Sequence, residues 1–380
     1  MQLVLEIIGG LLILVFLVVV HELGHAIVAR RNGVVVEEFG IGFPPRAWSK
    51  KLKNGVVFSL NWLPLGGFVR MQGENDAADK KGDYGAATFG QKTRILLAGV
   101  LINWLVAAIL LTILAITGLP KIVDNQFSVP SDTKIIGKPV ELTAMSNGYP
   151  AQKAGLQSGD EILDLAGKAV TTPEQFVNLT QENKGKIVSV VYERNGTKKT
   201  VKLTLLSNKT GPVFGAALGQ RQVIRATWSA PVVGVVETGQ FTWLTLQGIG
   251  NIISNLATGL VSELSPSASV RHTGSAQLGA VGDSVSGPIG ILGTIFPQAE
   301  QAGPTQLVFL TAIISLSLAV MNVLPIPALD GGRWYTMALY RLFKKQLTKE
   351  HEEKIQAVGF FILMGLIVLI TIGDVTKLFK

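Results

Sequence analysis

The sequence predicts a polytopic α-helical membrane protein with four transmembrane helices. A β-hairpin region follows the first helix, and an α+β module is inserted between the second and third. Composition and patterning predict this. Only 16% of the 380 residues are charged and 48% are apolar, against roughly a quarter charged in a typical soluble domain. Four nearly charge-free runs reach the roughly 20 residues that a helix needs to cross a bilayer. Between the second and third runs the composition turns polar, and short β-type stretches separated by turn residues appear.

Residues 1–30 form the first helix. Leu3 to Val20 carries one charge, Glu6, placed at the outer interface. No Lys or Arg precedes the run and His-Glu follows it, which is not the pattern of a removed signal peptide. Residues 31–94 form the hairpin region. Val34 to Phe39 and Val56 to Trp62 have strand composition around the Asn54-Gly55 turn. Pro64-Leu-Gly-Gly67 bends the chain before a last short strand, Phe68 to Met71. Residues 95–119 form the second helix.

Residues 120–208 form the inserted module. Strands are expected at Val140 to Ala144, Glu161 to Leu165, Ile187 to Arg194 and Lys199 to Leu205, with helices at Pro150 to Ala154 and Pro173 to Gln181. Asn195-Gly196 is a strong hairpin signal. In residues 209–304 the charge-free stretch 238–262 repeats apolar residues at helical spacing among Gln, Asn, Thr and Ser. It reads as an amphipathic helix on the membrane surface; as a fifth crossing it would separate Asp330 from His21. Residues 305–332 form the third helix, broken by Pro325 and Pro327, residues 333–354 a loop, and residues 355–374 the fourth helix.

Charge sets the orientation. Residues 30–94 hold eleven Lys and Arg and residues 333–354 hold six, whereas residues 1–20 hold none. By the positive-inside rule those two loops are cytoplasmic. The module and both termini are then extracytoplasmic, and the cytosolic ends of the first and third helices carry His21, His25 and Asp330. The net charge of +8 sits beside the apolar runs, so the bilayer and not nucleic acid is its expected partner.

Without cysteine, any metal must be held by His, Asp or Glu. Of the four histidines, His272 and His351 fall in polar regions, and His21 and His25 stand four apart in His-Glu-Leu-Gly-His. On a helix such a pair shares one face and can reach one ion, with Glu22 beside them as general base. Ionisable groups at the end of an apolar span mark a functional site. A catalytic zinc takes three protein ligands, and Asp330 closes a long uncharged run on the same side of the membrane. Two His and one carboxylate make Zn2+ the expected ion.

His21-Glu-Leu-Gly-His25 in the first helix and Asn322-Val-Leu-Pro-Ile-Pro-Ala-Leu-Asp330-Gly-Gly in the third together resemble the paired signature of the site-2 protease family of intramembrane zinc metalloproteases. Leu63-Pro-Leu-Gly-Gly-Phe-Val-Arg-Met71, Gly287-Pro-Ile-Gly-Ile291 and the order of the four helices extend the resemblance over nearly the whole chain. Pro150-Ala-Gln-Lys-Ala-Gly-Leu-Gln-Ser-Gly-Asp160-Glu-Ile resembles a segment of the PDZ domains found beside bacterial membrane proteases, which points to the bacterial RseP/RasP branch. The chain departs from the family at Ala98-Gly-Val100, where Ala-Gly-Pro is usual, and has one PDZ-like module where some relatives have two.

The resemblance implies regulated intramembrane proteolysis in a bacterial cell membrane. The substrates would be single-pass transmembrane proteins such as anti-sigma factors and signal-peptide remnants. It also implies that the hairpin is membrane-associated and clamps an unwound substrate, through Gly66, Gly67, Phe68, Val69, Arg70 and Met71, with Asn322 near the substrate backbone. The PDZ domain would take a peptide or substrate ectodomain, or act as a spacer. Asn103, in the second helix, is assigned to helix–helix hydrogen bonding. A PDZ-bearing scaffold without catalysis is the alternative function.

Overall fold

The computed structural model describes residues 2–194, 196–207 and 212–378; Asn195 of the expected hairpin turn lies outside them. The chain opens with α1 (Gln2–Arg31), β1 (Val36–Lys51), β2 (Val57–Met71) and α2 (Phe89–Thr117). There follow β3 (Leu119–Lys121), β4 (Lys134–Met145), α3 (Pro150–Lys153), β5 (Glu161–Leu165), β6 (Lys168–Ala169), α4 (Pro173–Glu182), β7 (Ile187–Arg194), β8 (Thr197–Thr204) and β9 (Ala216–Arg225). Then come α5 (Ala230–Glu263), α6 (Ala268–Ser284), α7 (Pro288–Gly290), a π-helical turn at Ile291–Ile295, and α8 (Phe296–Gln301). The last helices are α9 (Pro304–Val323), α10 (Asp330–Leu342) and α11 (Lys349–Leu378). The chain divides into two compact units, Met1–Ile113 with Gly234–Lys380, and Leu114–Val233.

In the first unit α1, α2, α9 and α11 are long and apolar enough to cross a membrane. The bent pair Ala268–Ser284 and Pro288–Gln301, meeting at 49°, would make a fifth if it is one broken span. Glu6, expected at an interface, is buried 3% exposed and takes long contacts of 3.3 and 3.4 Å from Gln301 Nε2. The third helix stops at Val323 and not at residue 332, because Pro325 and Pro327 lack the amides that would continue it. Asp330 therefore starts a separate helix, α10. Ala328 is left-handed at φ 74°, and its amide is held by Gln356 Oε1 of α11 at 2.6 Å.

The stretch expected on the membrane surface is part of α5, and its first turns run alongside α2. A side chain at Gly234 would collide with Thr112, while Trp104 Nε1 donates to Thr242 Oγ1 at 3.2 Å. As α5 advances from 234 to 242, α2 recedes from 112 to 104. The two helices are thus antiparallel neighbours over roughly 12 Å, at 1.5 Å per residue. Phe241 also packs edge-on against Phe309 of α9. Threonines that gave this stretch its surface character bond their own helix, Thr242 to Thr238 and Thr245 to Phe241.

The hairpin region is more folded than the expected short strands. Residues 36–41 pair with 67–71 in opposite directions (Val36 with Met71, Ile41 with Gly67) and with 57–60 in register that rises on both segments (Glu38 with Val57, Ile41 with Leu60), and 46–51 pair with 57–61 in opposite directions. Four extended segments therefore lie side by side, with 67–71 at one edge. The Pro64–Gly67 bend turns the chain without ending β2. Glu38, 1% exposed, ties three of the segments together through Arg46 at 2.6 Å and Arg70 at 2.8 Å.

In the second unit β4, β5, β7, β8 and the helices α3 and α4 stand where expected. The expected end at residue 208 is corrected: β9 (Ala216–Arg225) is an inner strand, in the order β3-β9-β4-β5-β7-β8 with β6 on β5. Its Gly, Gln and Arg residues hid a strand whose pairing is long-range. The core gathers Val140, Leu142, Ile162, Leu165, Phe176 and Val190. Arg194 clasps the buried carboxylate of Asp160 at 2.6 and 2.7 Å. Asp132 takes both hydroxyl and amide hydrogen bonds from Thr227 and Ser229, just before α5 starts.

Candidate active site

The site is built on the first unit. Leu17, His21, Gly24, His25 and Ala29 form one buried stripe of α1, as the i, i+3, i+4 spacing requires. His21 Nε2 lies 3.1 Å and His25 Nε2 3.2 Å from Asp330 Oδ2, and the two imidazole nitrogens are 3.2 Å apart. Three donors sharing one tetrahedral zinc at about 2.0–2.1 Å stand roughly 3.3 Å apart, so this triangle fits that ion. The chemistry of the donors fits as well. His25 Nδ1 faces the carbonyl of Ile95 at 2.7 Å, which fixes the tautomer that leaves Nε2 free for a metal.

Close backbone approach makes this convergence possible. A Cβ on Gly24 would lie 2.8 Å from the carbonyl oxygen of Ala98. One on Gly99 would lie 2.6 Å from His21 Nε2 and 2.5 Å from His25 Nε2. Only glycine at 99 lets α2 back directly onto the imidazoles. Gly331 and Gly332 likewise meet the carbonyls of Val323 and Ile326, so the turn before α10 folds tightly enough to deliver Asp330.

Glu22, His25 and Asp330 share a cavity of about 180 Å³ with Gly67, Phe68, Val69, Met71, Glu74, Leu96 and Arg333. The edge segment of the hairpin region thus lines the same space as the general-base candidate. A Cβ at Gly67 would stand 3.2 Å from Glu22 Cγ. A neighbouring cavity of about 300 Å³, lined by Glu74, Asp330, Arg333, Glu352 and Gln356 among others, adjoins it. Between the two, Arg333 binds Glu74 at 3.0 Å and Glu352 at 2.9 Å and stacks over Tyr84. Burial pushes the Tyr84 phenol well above its ordinary range, against the opposing charge of Arg333.

Three of the expected substrate contacts, Gly66, Arg70 and Asn322, are not among the residues that line the Glu22 cavity. Arg70 turns to Glu37 and Glu38, because alternation along the strand sends it to the face opposite Val69 and Met71. Gly66 packs against Phe43. Asn322 donates to Leu318 of its own helix at 2.9 Å, which the lone asparagine did not reveal. His272 and His351 are exposed, as expected of surface residues. The sequence reading missed Gly99, Glu74 and Arg333. A glycine in an uncharged span, and an Arg directly after Asp-Gly-Gly, were the available signals.

The model of peptidase family M50 matches residues 9–366. A Clostridium perfringens protein provisionally named a zinc metalloprotease is 32% identical over 97% of this chain and 98% of its own length. The zinc metalloproteases RasP of Geobacillus kaustophilus and Shouchella clausii are 28% and 29% identical, covering 96% of this chain and 96% and 97% of theirs. A solved PDZ domain from Listeria monocytogenes aligns with 21% of the chain and 86% of its own length at 20% identity, with a TM-score of 0.19, too low to support an argument about fold. The scaffold alternative is set aside, since the family is one of peptidases and no member of the expected donor set is missing. The chain belongs to peptidase family M50, the zinc metalloproteases of intramembrane proteolysis.

Proposed function

We infer that this protein cuts single-pass membrane proteins within their transmembrane segments, with zinc held by His21, His25 and Asp330 and with Glu22 as general base. The observation that carries this reading is the shared cavity: His25, Asp330, Glu22 and the edge of the hairpin region line one space, and His21 completes the donor triangle beside it. Zinc bound there supplies Lewis acidity strong enough to bring the pKa of a water to about 7. Glu22 takes a proton from the attacking water and returns it to the leaving amine.

The hairpin edge serves a different need. A peptide bond inside a helix is shielded by its neighbours and its amide is already bonded. Unwinding it in a membrane is costly unless another strand receives its N–H and C=O groups. Among the described residues 67–71 pair on one side only, with 36–41, so their other edge is available to an unwound substrate. Gly67, Phe68, Val69 and Met71 are the residues assigned to that contact. Water reaches the site through the neighbouring cavity on the charged side, past the Arg333–Glu74 pair.

The sheet unit is a PDZ-like module that faces the extracytoplasmic side and binds an extended peptide or a substrate ectodomain. Its motif around Gly155–Asp160 and the edge of β9 at 216–219, which among the described residues pairs with β4 alone, support this reading. The bilayer itself is the remaining partner.

Mapping the new termini of a cleaved single-pass reporter tests the proposal. Reconstituted wild type is expected to produce termini inside the apolar segment. Termini found only in the soluble ectodomain would overturn it.

A further inference from the structure

The geometry assigns to Asn103 the role of positioning His21, as acceptor of the imidazole Nδ1 proton. The inference rests on His21 being a metal ligand. A histidine that offers Nε2 to a metal must carry its proton on Nδ1, and that proton needs an acceptor when water is excluded. For His25 the acceptor is the carbonyl of Ile95. For His21 the neighbouring group is the Asn103 amide, with an amide nitrogen 3.4 Å from Nδ1.

That placement sets nitrogen against nitrogen, while the amide oxygen of Asn103, in a residue 0% exposed, has no hydrogen-bond partner among the described residues. Amide oxygen and nitrogen exchange places by a half-turn of the side chain. The half-turn removes both faults at once, since the oxygen then faces the Nδ1 proton. A second contact holds Asn103 at this depth: its backbone carbonyl accepts from the buried Ser315 Oγ of α9 at 2.9 Å. The helix–helix bonding expected of Asn103 is thus made by its backbone, which leaves the side chain for His21. One residue joins the helix carrying His21 to α9, which leads toward Asp330.

The test uses the full chain in nanodiscs with Asn103→Leu, Asn103→Asp, Ser315→Ala and His21→Ala. Zinc affinity is measured by chelator competition, and the visible spectrum is recorded after cobalt substitution. Asn103→Leu keeps the size and removes the acceptor. It is expected to weaken zinc binding about 10–100-fold, the usual cost of losing such a partner, and to shift the cobalt bands. Asn103→Asp keeps an acceptor oxygen and is expected to restore both. Ser315→Ala is expected to lower thermal stability and leave zinc affinity unchanged, which separates packing from positioning. If His21→Ala abolishes zinc binding while Asn103→Leu binds zinc like wild type with unshifted bands, the positioning role fails and the ligand reading stands. Equal weakening by Asn103→Leu and Asn103→Asp would also overturn it. If His21→Ala binds zinc normally, the underlying ligand reading fails.

Discussion

Replacing Gly99 by alanine adds one methyl group directly behind the histidine pair. Its carbon would stand 2.6 Å from His21 Nε2 and 2.5 Å from His25 Nε2, where comfortable contact is about 3.5 Å. Roughly 0.9 Å must therefore be found, and both nearest neighbours are the ring atoms proposed to ligate the ion. Metal–ligand distances tolerate about 0.2 Å, so the imidazoles cannot yield and still ligate. The expected result is a zinc affinity at least about 10–100-fold lower, or about 1.4–2.8 kcal/mol, with cleavage lost in parallel at limiting zinc. Gly365→Ala is the control: it makes the same change in the fourth helix, where nothing lies within 4 Å of the added carbon. Zinc titration of both variants, with reporter cleavage followed alongside, decides the matter. Wild-type affinity in Gly99→Ala would refute the packing of α2 against the metal ligands.

Other perturbations separate the parts of the site. Gly67→Ala puts a carbon 3.2 Å from Glu22 Cγ and 3.1 Å from the Gly40 carbonyl oxygen; turnover should fall about tenfold through misplacement with zinc content unchanged. Arg333→Leu leaves the largely buried Glu352 and the half-buried Glu74 without their cation, and should cost about 3 kcal/mol of stability, read as a lower melting temperature in detergent. Hydrogen bonds from Ser229 and Thr227 hold the Asp132 carboxyl well below its usual range. Its contribution to stability is therefore full above the unfolded value of about 3.9 and fades as pH falls through the lower folded value. Acid melting curves of Asp132→Asn should show less loss below about pH 4 than wild type. Because the chain has no cysteine, single substitutions report sidedness cleanly. Lys198→Cys should react with an impermeant maleimide added outside intact cells, and Lys345→Cys only after permeabilisation; the reverse pattern would invert the topology.

What was legible in the sequence followed from local rules. The histidine pair declares itself by i, i+4 spacing, Asp330 by closing an uncharged run, and the four apolar helices by length. Strands β5 and β7 could be read because alternation and turn residues bound them. What stayed hidden depended on contacts distant in sequence. β9 looks polar and gains its place only by pairing with both β3 and β4. The first turns of α5 read as a surface helix because their Thr side chains satisfy themselves on their own backbone. Asn322 and Asn103 are the same residue type in two apolar spans, and sequence alone does not tell their surroundings apart: the Asn322 amide bonds a carbonyl of its own helix, and the Asn103 amide meets His21. Arg70 sits among cavity residues in sequence, yet strand alternation turns it to the other face, where it meets buried Glu38.

X-ray absorption at the zinc edge of the purified chain, measured for wild type, Glu22→Gln and Asp330→Asn alongside reporter cleavage, reads the proposed ligand set and the role of Glu22 together. One zinc with two nitrogen neighbours and a carboxylate oxygen at about 2.0–2.2 Å is expected. Glu22→Gln should retain that protein ligand set and cut nothing, and Asp330→Asn should hold zinc poorly. Cleavage by Glu22→Gln, or an undiminished zinc site in Asp330→Asn, would contradict these assignments.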